Sequence, residues 1–294
     1  EIVRWLELFV IYYITINLIN DEKKLRIILY FIFFTVAVVS ILGIIDHLRM
    51  EHRAISLFGN SNPLAGYVNL IIPVLFGMMM TKVSLWEKRT LFIITILSAM
   101  IWCLTFSKVA WISLVLTMVF LFFQTKSKKR GTFFLAIFFA ILAIAFLIPD
   151  LRDDLVDKVS LDKLHYTFKY RSTCYAVGYD MLKDDSILGI GIGNYPPLIK
   201  KFVYSDPLLI KRFVKSDPSM MQTHLHSLYL QTLVETGFMG LSAFVFWIVC
   251  IIKHLVSSLK SLENTRHYWL FVGLMGGVIV YLFNNLTDVL VVHG

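Results

Sequence analysis

Charged residues are scarce in this sequence. Asp, Glu, Lys and Arg make up 16% of its 294 residues, whereas a soluble domain carries about 25%. Hydrophobic residues make up 57%, and the mean hydropathy is +0.73. The apolar residues occur in long blocks with the charges between them, which excludes an ordinary soluble domain and is typical of a multi-span membrane protein.

Cysteine is also scarce, with only Cys103, Cys174 and Cys250. These residues are far apart, so the sequence has neither a disulfide framework nor the spacing of a cysteine metal site. The net charge of +8 does not predict nucleic-acid binding, because Lys and Arg lie mostly in short loops between apolar blocks. The first residue is Glu rather than Met, and we expect a piece of a longer protein.

Apolar blocks of the length needed to cross a bilayer, about 20 residues, recur along the chain. We therefore predict an all-α integral membrane protein with about eight transmembrane helices. The predicted spans are 4–19, 25–45, 63–81, 90–106, 108–124, 131–149, 227–252 and 268–286.

Lys and Arg cluster in every second loop, at 21–26, 82–89, 125–130 and 253–267. The positive-inside rule places all four loops in the cytoplasm. Alternation then divides the chain into six membrane helices (1–149), a long extracytoplasmic loop (150–226) and two further helices (227–294).

The predicted extracytoplasmic loop (150–226) is too long to be a connection without secondary structure of its own. Residues 169–185 show apolar positions at helical spacing and predict an amphipathic helix. The stretch GIGIGNYPP (189–197) should end it. Because Asn194 stands where GxGxxG needs its last glycine and no P-loop Lys follows, nucleotide binding is not indicated. The glycines either allow a tight turn or shape a site.

Two further stretches have both structural and functional interpretations. In FGNSNPLAGY (58–67), Asn60, Ser61 and Asn62 suit a helix N-cap and Pro63 the first turn, yet asparagines at a membrane edge also suit sugar binding. In TFSKVAW (105–111), Lys108 either snorkels to the interface or binds a lipid phosphate.

His224 and His226 stand where the chain enters the seventh predicted span. On a helix their side chains should point about 200° apart, and we see no obvious third metal ligand nearby. A metal site, a capping role and a merely polar role remain open for them. If 226–240 is one helix, Glu235 faces away from His226 and shares a face with Gln231, which predicts structural polar roles for both.

Four stretches, in this order, resemble the O-antigen ligase and polymerase superfamily of bacterial membrane glycosyltransferases. The last of them is the most specific. They are GNSNPLAGY (59–67), TFSKVAW (105–111), Arg171 to Tyr175 followed by ILGIGIGNY (187–195), and HSLYLQTLVETGFMG (226–240).

The chain departs from the family pattern at four positions. Lys108 replaces the usual Arg, Tyr175 the usual Trp, Ser227 the usual Asn, and Ser186 a frequent Pro. The lysine change bears on phosphate binding, because an ammonium cannot form the bidentate fork of a guanidinium.

The resemblance implies a GT-C-like fold and transfer of a glycan from a polyprenyl-pyrophosphate donor to an acceptor hydroxyl, at the outer face of a bacterial plasma membrane. It implies His226 as general base and Arg171 and Lys108 as groups that bind the donor pyrophosphate, with no metal and no cofactor. Pocket or site-shaping roles fall to Asn62, Gly191, Gly193, Asn194, Tyr195 and Tyr229.

The partners implied are the lipid-linked glycan, membrane lipid, and a glycan, lipid or wall-polymer acceptor, without nucleic acid. A ligase and a polymerase differ only in the acceptor. The alternative of a different class is a transporter or flippase of the lipid-linked glycan. A transporter usually shows internal repeats, and the sequence shows none.

Overall fold

The computed structural model describes residues 2–50, 53–124, 161–183, 185–205 and 224–289. All regular secondary structure in these ranges is helical. The helices are α1 (Ile2–Leu18), α2 (Glu22–Met50), α3 (Ser61–Met80), α4 (Leu85–Leu104), α5 (Lys108–Gln124), α6 (Leu161–Leu182), α7 (Tyr195–Ser205), α8 (Leu228–Ser261) and α9 (Tyr268–Thr287), with a short 3₁₀ helix at Ser56–Phe58.

The prediction of an all-α membrane protein is confirmed. Within the described ranges, α2, α3, α8 and α9 are long and apolar enough to cross a membrane. The predicted spans 4–19, 90–106 and 108–124 coincide with α1, α4 and α5, whereas span 131–149 lies outside the described residues. The count of eight spans therefore stays a prediction.

The chain divides into two compact units. The first unit contains Glu1–Asn17, Ser160–Ile251 and Asn285–Val292. The second unit contains Leu18–Val159, Ile252–Asn284 and His293–Gly294.

The second unit is a helical bundle around one apolar core, built from α2 to α5 with Leu270 and Val272 of α9. Glycine allows two of its helices to approach closely, as small residues do in membrane proteins. A Cβ on Gly273 of α9 would lie 2.5 Å from the carbonyl oxygen of Pro73 in α3, so the two backbones pack directly.

Charged residues from three of the predicted cytoplasmic loops meet at one end of this bundle. Arg26 of the first loop lies 3.5 Å from Glu87 of the second, and Arg266 of the 253–267 segment pairs with Glu22 of the first. This meeting agrees with the prediction that the three loops share one side of the membrane. The fourth, 125–130, lies outside the described residues.

Helix α3 begins as the sequence predicts. Asn60 has extended backbone (φ −145°) and its side chain accepts a hydrogen bond from the Asn62 N–H, at 2.9 Å. The N-cap prediction for this stretch is confirmed, because the cap satisfies an N–H that the first helical turn leaves without a partner.

Candidate active site

His224 and His226 lie just before a helix rather than in it. Helix α8 begins at Leu228, and His226 has a φ of 53°, a left-handed conformation that non-glycine residues seldom adopt. The helix is then broken at Gly237, where φ is 65° and ψ is −170°. The assumption of one helix over 226–240 is therefore wrong, and the helical count from His226 to Glu235 does not apply.

The rings of His224 and His226 touch each other. Their centroids are 4.4 Å apart with a 59° angle between the planes, and both residues are buried. The expectation that the two side chains point apart is wrong, because it assumed a helix and the turn at His226 is not helical. The result is a pair of contacting imidazoles inside the first unit.

Asp288 joins the histidines, and the sequence reasoning missed it. Its Oδ1 lies 3.6 Å from His224 Nε2, and it is buried. Its backbone carbonyl accepts a 3.2 Å hydrogen bond from the Leu228 N–H, which ties it to the start of α8. The available signal was its position: an acidic residue at the end of an apolar span is a functional candidate by default.

The three side chains have a composition that could hold a metal ion. One ligand atom from each of His224, His226 and Asp288 lies within 4.8 Å of the other two. Two imidazoles and a carboxylate are a donor set found in catalytic zinc sites. The expectation that a third ligand is absent is wrong, since Asp288 supplies one. The same trio is also suited to proton transfer, because a carboxylate beside an imidazole orients it and favours its charged form.

Helix α6 contributes Tyr175 and Arg171 to this site. The Tyr175 hydroxyl donates a 3.3 Å hydrogen bond to the backbone carbonyl of His226. Arg171 is half-buried one helical turn earlier, on the same side of the helix. The first unit therefore brings Arg171, Tyr175, His226 and Asp288 to one site.

The protonation state of Tyr175 follows from this environment. Burial raises the pKa of the phenol, Arg171 opposes the rise, and Asp288 adds to it. The hydroxyl therefore keeps its proton at physiological pH, where an ordinary tyrosine with a pKa of about 10 is also neutral. It remains a donor to the His226 carbonyl.

The glycine stretch runs as irregular backbone against α8, just before the break at Gly237. Ile190 N–H donates to Val234 O at 3.0 Å and Gly191 N–H to Glu235 O at 2.9 Å. At Gly189, where φ is 71°, a Cβ would lie 2.5 Å from Val234 O. A left-handed backbone and close contact with another backbone explain the glycine at this position. Both features support the tight-turn interpretation.

Two predicted structural polar residues link this loop to the histidines. Glu235 Oε2 accepts from the Gly193 N–H at 3.0 Å. Gln231 donates to Glu235 Oε1 at 3.4 Å and accepts from the Leu225 N–H at 3.3 Å. Through this pair, the turn that carries His226 and the glycine loop are held to the same helix face.

The remaining predicted pocket residues of the first unit differ in exposure. Tyr195 is fully buried and packs in the apolar core of the unit with Cys174, Val177 and Met181, so it is a core residue here. Asn194 is exposed and donates to Ile190 O at 2.7 Å, closing the glycine turn. Tyr229 is half-buried.

A family model described as O-antigen ligase matches residues 93–245, just over half of the chain. The chain belongs to the O-antigen ligase family. No curated protein matches the sequence. Family membership supports a surface-polysaccharide ligase or polymerase role and a glycosyltransferase-like enzyme, with a lipid-linked glycan and a glycan acceptor in general as its partners.

Two further predicted site residues of this O-antigen ligase family member, Asn62 and Lys108, lie in the second unit. Asn62 accepts from an Arg53 guanidinium N–H at 3.4 Å, and Arg53 also donates to Thr105 O at 2.8 Å. Arg53 thus joins two stretches predicted to be external, and the sequence reasoning missed it. Lys108, at the start of α5, is half-buried.

Proposed function

We propose that this chain transfers a glycan from a polyprenyl-pyrophosphate donor to an acceptor hydroxyl at the outer face of a bacterial plasma membrane, without a metal. The observation that carries the proposal is the Tyr175 hydrogen bond to His226. It joins the helix that carries a cation for the leaving group to the turn that carries the base.

The proposed step is a displacement at the anomeric carbon. The acceptor oxygen forms a bond to that carbon, and its proton passes to a His226 nitrogen. The bond between the carbon and the pyrophosphate oxygen breaks, and the polyprenyl pyrophosphate leaves with the electron pair. Arg171 supplies positive charge for this anion, so a stable leaving group needs no metal; the family resemblance implies Lys108 as a second cation.

Asp288 and His224 support the base in this mechanism. A carboxylate next to an imidazole favours its protonated form, so negative charge at Asp288 stabilises positive charge that develops on the touching imidazole pair. The proton taken from the acceptor therefore stays on His226, and the charge of Asp288 balances it across the histidine pair. If the transfer needs no metal, the protein should keep its activity after chelation of divalent metals. Loss of activity that zinc restores would assign the trio to metal binding instead.

The test is His226→Ala in membrane vesicles supplied with lipid-linked glycan and acceptor. Loss of a general base should slow transfer by about 10²- to 10⁴-fold. His165→Ala is the matched control, because His165 is an exposed histidine on α6 of the same unit, and it should transfer at the normal rate. Full activity of a normally expressed His226→Ala protein would contradict the base role.

Consumption of the donor separates this proposal from transport of the donor. Transfer releases one polyprenyl pyrophosphate for each glycosidic bond formed, whereas a flippase moves the lipid-linked glycan without cleaving it. Measuring released polyprenyl pyrophosphate alongside the product therefore distinguishes the two.

A further inference from the structure

Residues 186–192, which we call the apolar strap, expose large hydrophobic side chains. Ile187 is 69% exposed, Leu188 57% and Ile192 42%. A turn in water usually carries small and polar residues, and contiguous exposed apolar surface marks a place of interaction.

The strap continues the exposed face of helix α8. The Phe238 N–H donates to Ser186 O at 2.9 Å and the Met239 N–H to Ile187 O at 3.3 Å. Phe238 is 57% exposed and Met239 58%. The strap and the helix therefore form one apolar surface at the Gly237 break, and only 6% of the apolar window of that helix is buried.

The position of the Gly237 break along α8 determines how deep the break lies in the bilayer. The first charged residue after it is Lys253, in the 253–267 segment predicted to be cytoplasmic. About 16 residues separate the two, or about 24 Å of helix at 1.5 Å per residue. Because the hydrocarbon core is about 30 Å thick, Gly237 then lies about 6 Å inside its outer edge.

Irregular backbone is tolerated at this depth only when its polar groups are satisfied. The strap meets this condition at its start. The N–H groups of Ile187 and Leu188 each donate to Asp185 Oδ1 at 3.0 Å, and the Gly189 N–H donates to Asp185 O at 3.0 Å.

The rest of the strap pairs with α8. Besides the bonds of Ile190 and Gly191 to that helix, Ser186 O and Ile187 O accept the two N–H groups that the Gly237 break removes from helical bonding. The broken helix and the strap thus satisfy each other, as the broken helices and neighbouring segments of membrane proteins do.

We propose that the apolar strap lies within the outer leaflet of the bilayer, where Ile187, Leu188 and Ile192 contact lipid acyl chains. The occupant is lipid rather than protein, because the surface is continuous with the exposed face of a helix apolar enough to span. Asp180 and Lys183, an exposed ion pair just before the strap, mark the return to the headgroup layer. If the proposed transfer reaction holds, the strap borders the path by which a lipid-linked donor reaches His226.

Nitroxide accessibility in reconstituted vesicles tests this placement without any activity measurement. The label goes on Ile187→Cys in a Cys250→Ala background, because Cys103 and Cys174 are buried and Cys250 is exposed. Lys183→Cys is the matched control, four residues earlier and in the headgroup layer in the proposal. A label at 187 should collide more with oxygen than with a water-soluble nickel chelate, and a label at 183 should show the reverse.

Two results would overturn the proposal. One is equal access of the nickel chelate to positions 187 and 183, which would put the strap in water. The other is an immobilised label at 187 protected from both reagents, which would put it under protein. Ile192→Cys repeats the measurement at a second strap position in case the first variant does not fold.

Discussion

The two units bury polar groups for different purposes. In the second unit, Asn69 of α3 donates to Ala110 O at 2.9 Å and to Ser113 Oγ at 2.8 Å, and Ser113 donates to Asn284 at 3.2 Å. Every partner lies on a regular helix, so these bonds join helices, as polar side chains do in membrane bundles.

In the first unit, the buried polar groups hold backbone that is not helical. Glu235 binds the glycine turn, and Tyr175 binds the carbonyl of His226, whose φ is positive. Irregular backbone concentrates at functional sites, where the surroundings must hold it in place. The backbone that a buried polar group binds, helical or irregular, therefore distinguishes a structural network from a candidate site.

Among variants that test this difference between the units, Gly237→Ala should have the largest effect on activity and stability. A Cβ there would collide with the carbonyl of Ile187, in addition to the cost of about 1–3 kcal/mol for a side chain in backbone that is essentially restricted to glycine. We expect the strap to detach, transfer activity to fall to background and the thermal midpoint of the purified protein to fall by several degrees.

Gly59→Ala is the control for that variant. Gly59 also has a positive φ, of 63°, but a Cβ there meets nothing within 4 Å. It should lose only the conformational cost and keep its activity. Equal losses in the two variants would show that backbone strain, and not contact between the strap and α8, causes the effect.

Asp288→Ala should give the next largest effect. Removing a charged partner of a buried polar group costs about 1.5–3 kcal/mol, which corresponds to a fall of roughly 10- to 100-fold in the transfer rate per folded molecule. Asn69→Ala, in the helix-joining network, should instead lower the thermal midpoint and leave that rate unchanged. A loss of stability with an unchanged transfer rate in both variants would contradict a functional role for Asp288.

Tyr175→Phe should give the smallest effect. It removes one hydrogen bond worth about 1 kcal/mol, or about fivefold in rate. Because burial raises the pKa of Tyr175 from the ordinary value of about 10, the phenol stays protonated through neutral pH. The ratio of wild-type to variant rates should therefore be constant between about pH 6 and about pH 9. A ratio that changes in this range would contradict a purely donating role.

Local features were predictable from the sequence because they depend on neighbours in the chain. Apolar blocks of membrane length predicted α2 and α3, and Asn60 predicted the cap of α3. The spacing of residues 169–185 predicted the helix before the glycines, and Val177 and Met181 on its apolar side are indeed buried.

Features of the site that depend on distant contacts were not predictable. Nothing in the spacing around His226 points to Asp288, because folding and not sequence proximity brings the end of α9 to the start of α8. The break at Gly237 was not predicted for the same reason. An isolated glycine in an apolar block is compatible with a continuous helix, and only the packing of the strap against it shows the break. The turn at His226 likewise depends on Tyr175 from another helix.

The bond between the Leu228 N–H and Asp288 O also bears on the order of biosynthesis. Residue 288 leaves the ribosome long after the histidine turn, so a shorter nascent chain lacks both the carboxylate beside His224 and the acceptor for the first N–H of α8. The trio of His224, His226 and Asp288 is therefore complete only once synthesis has passed the final described helix.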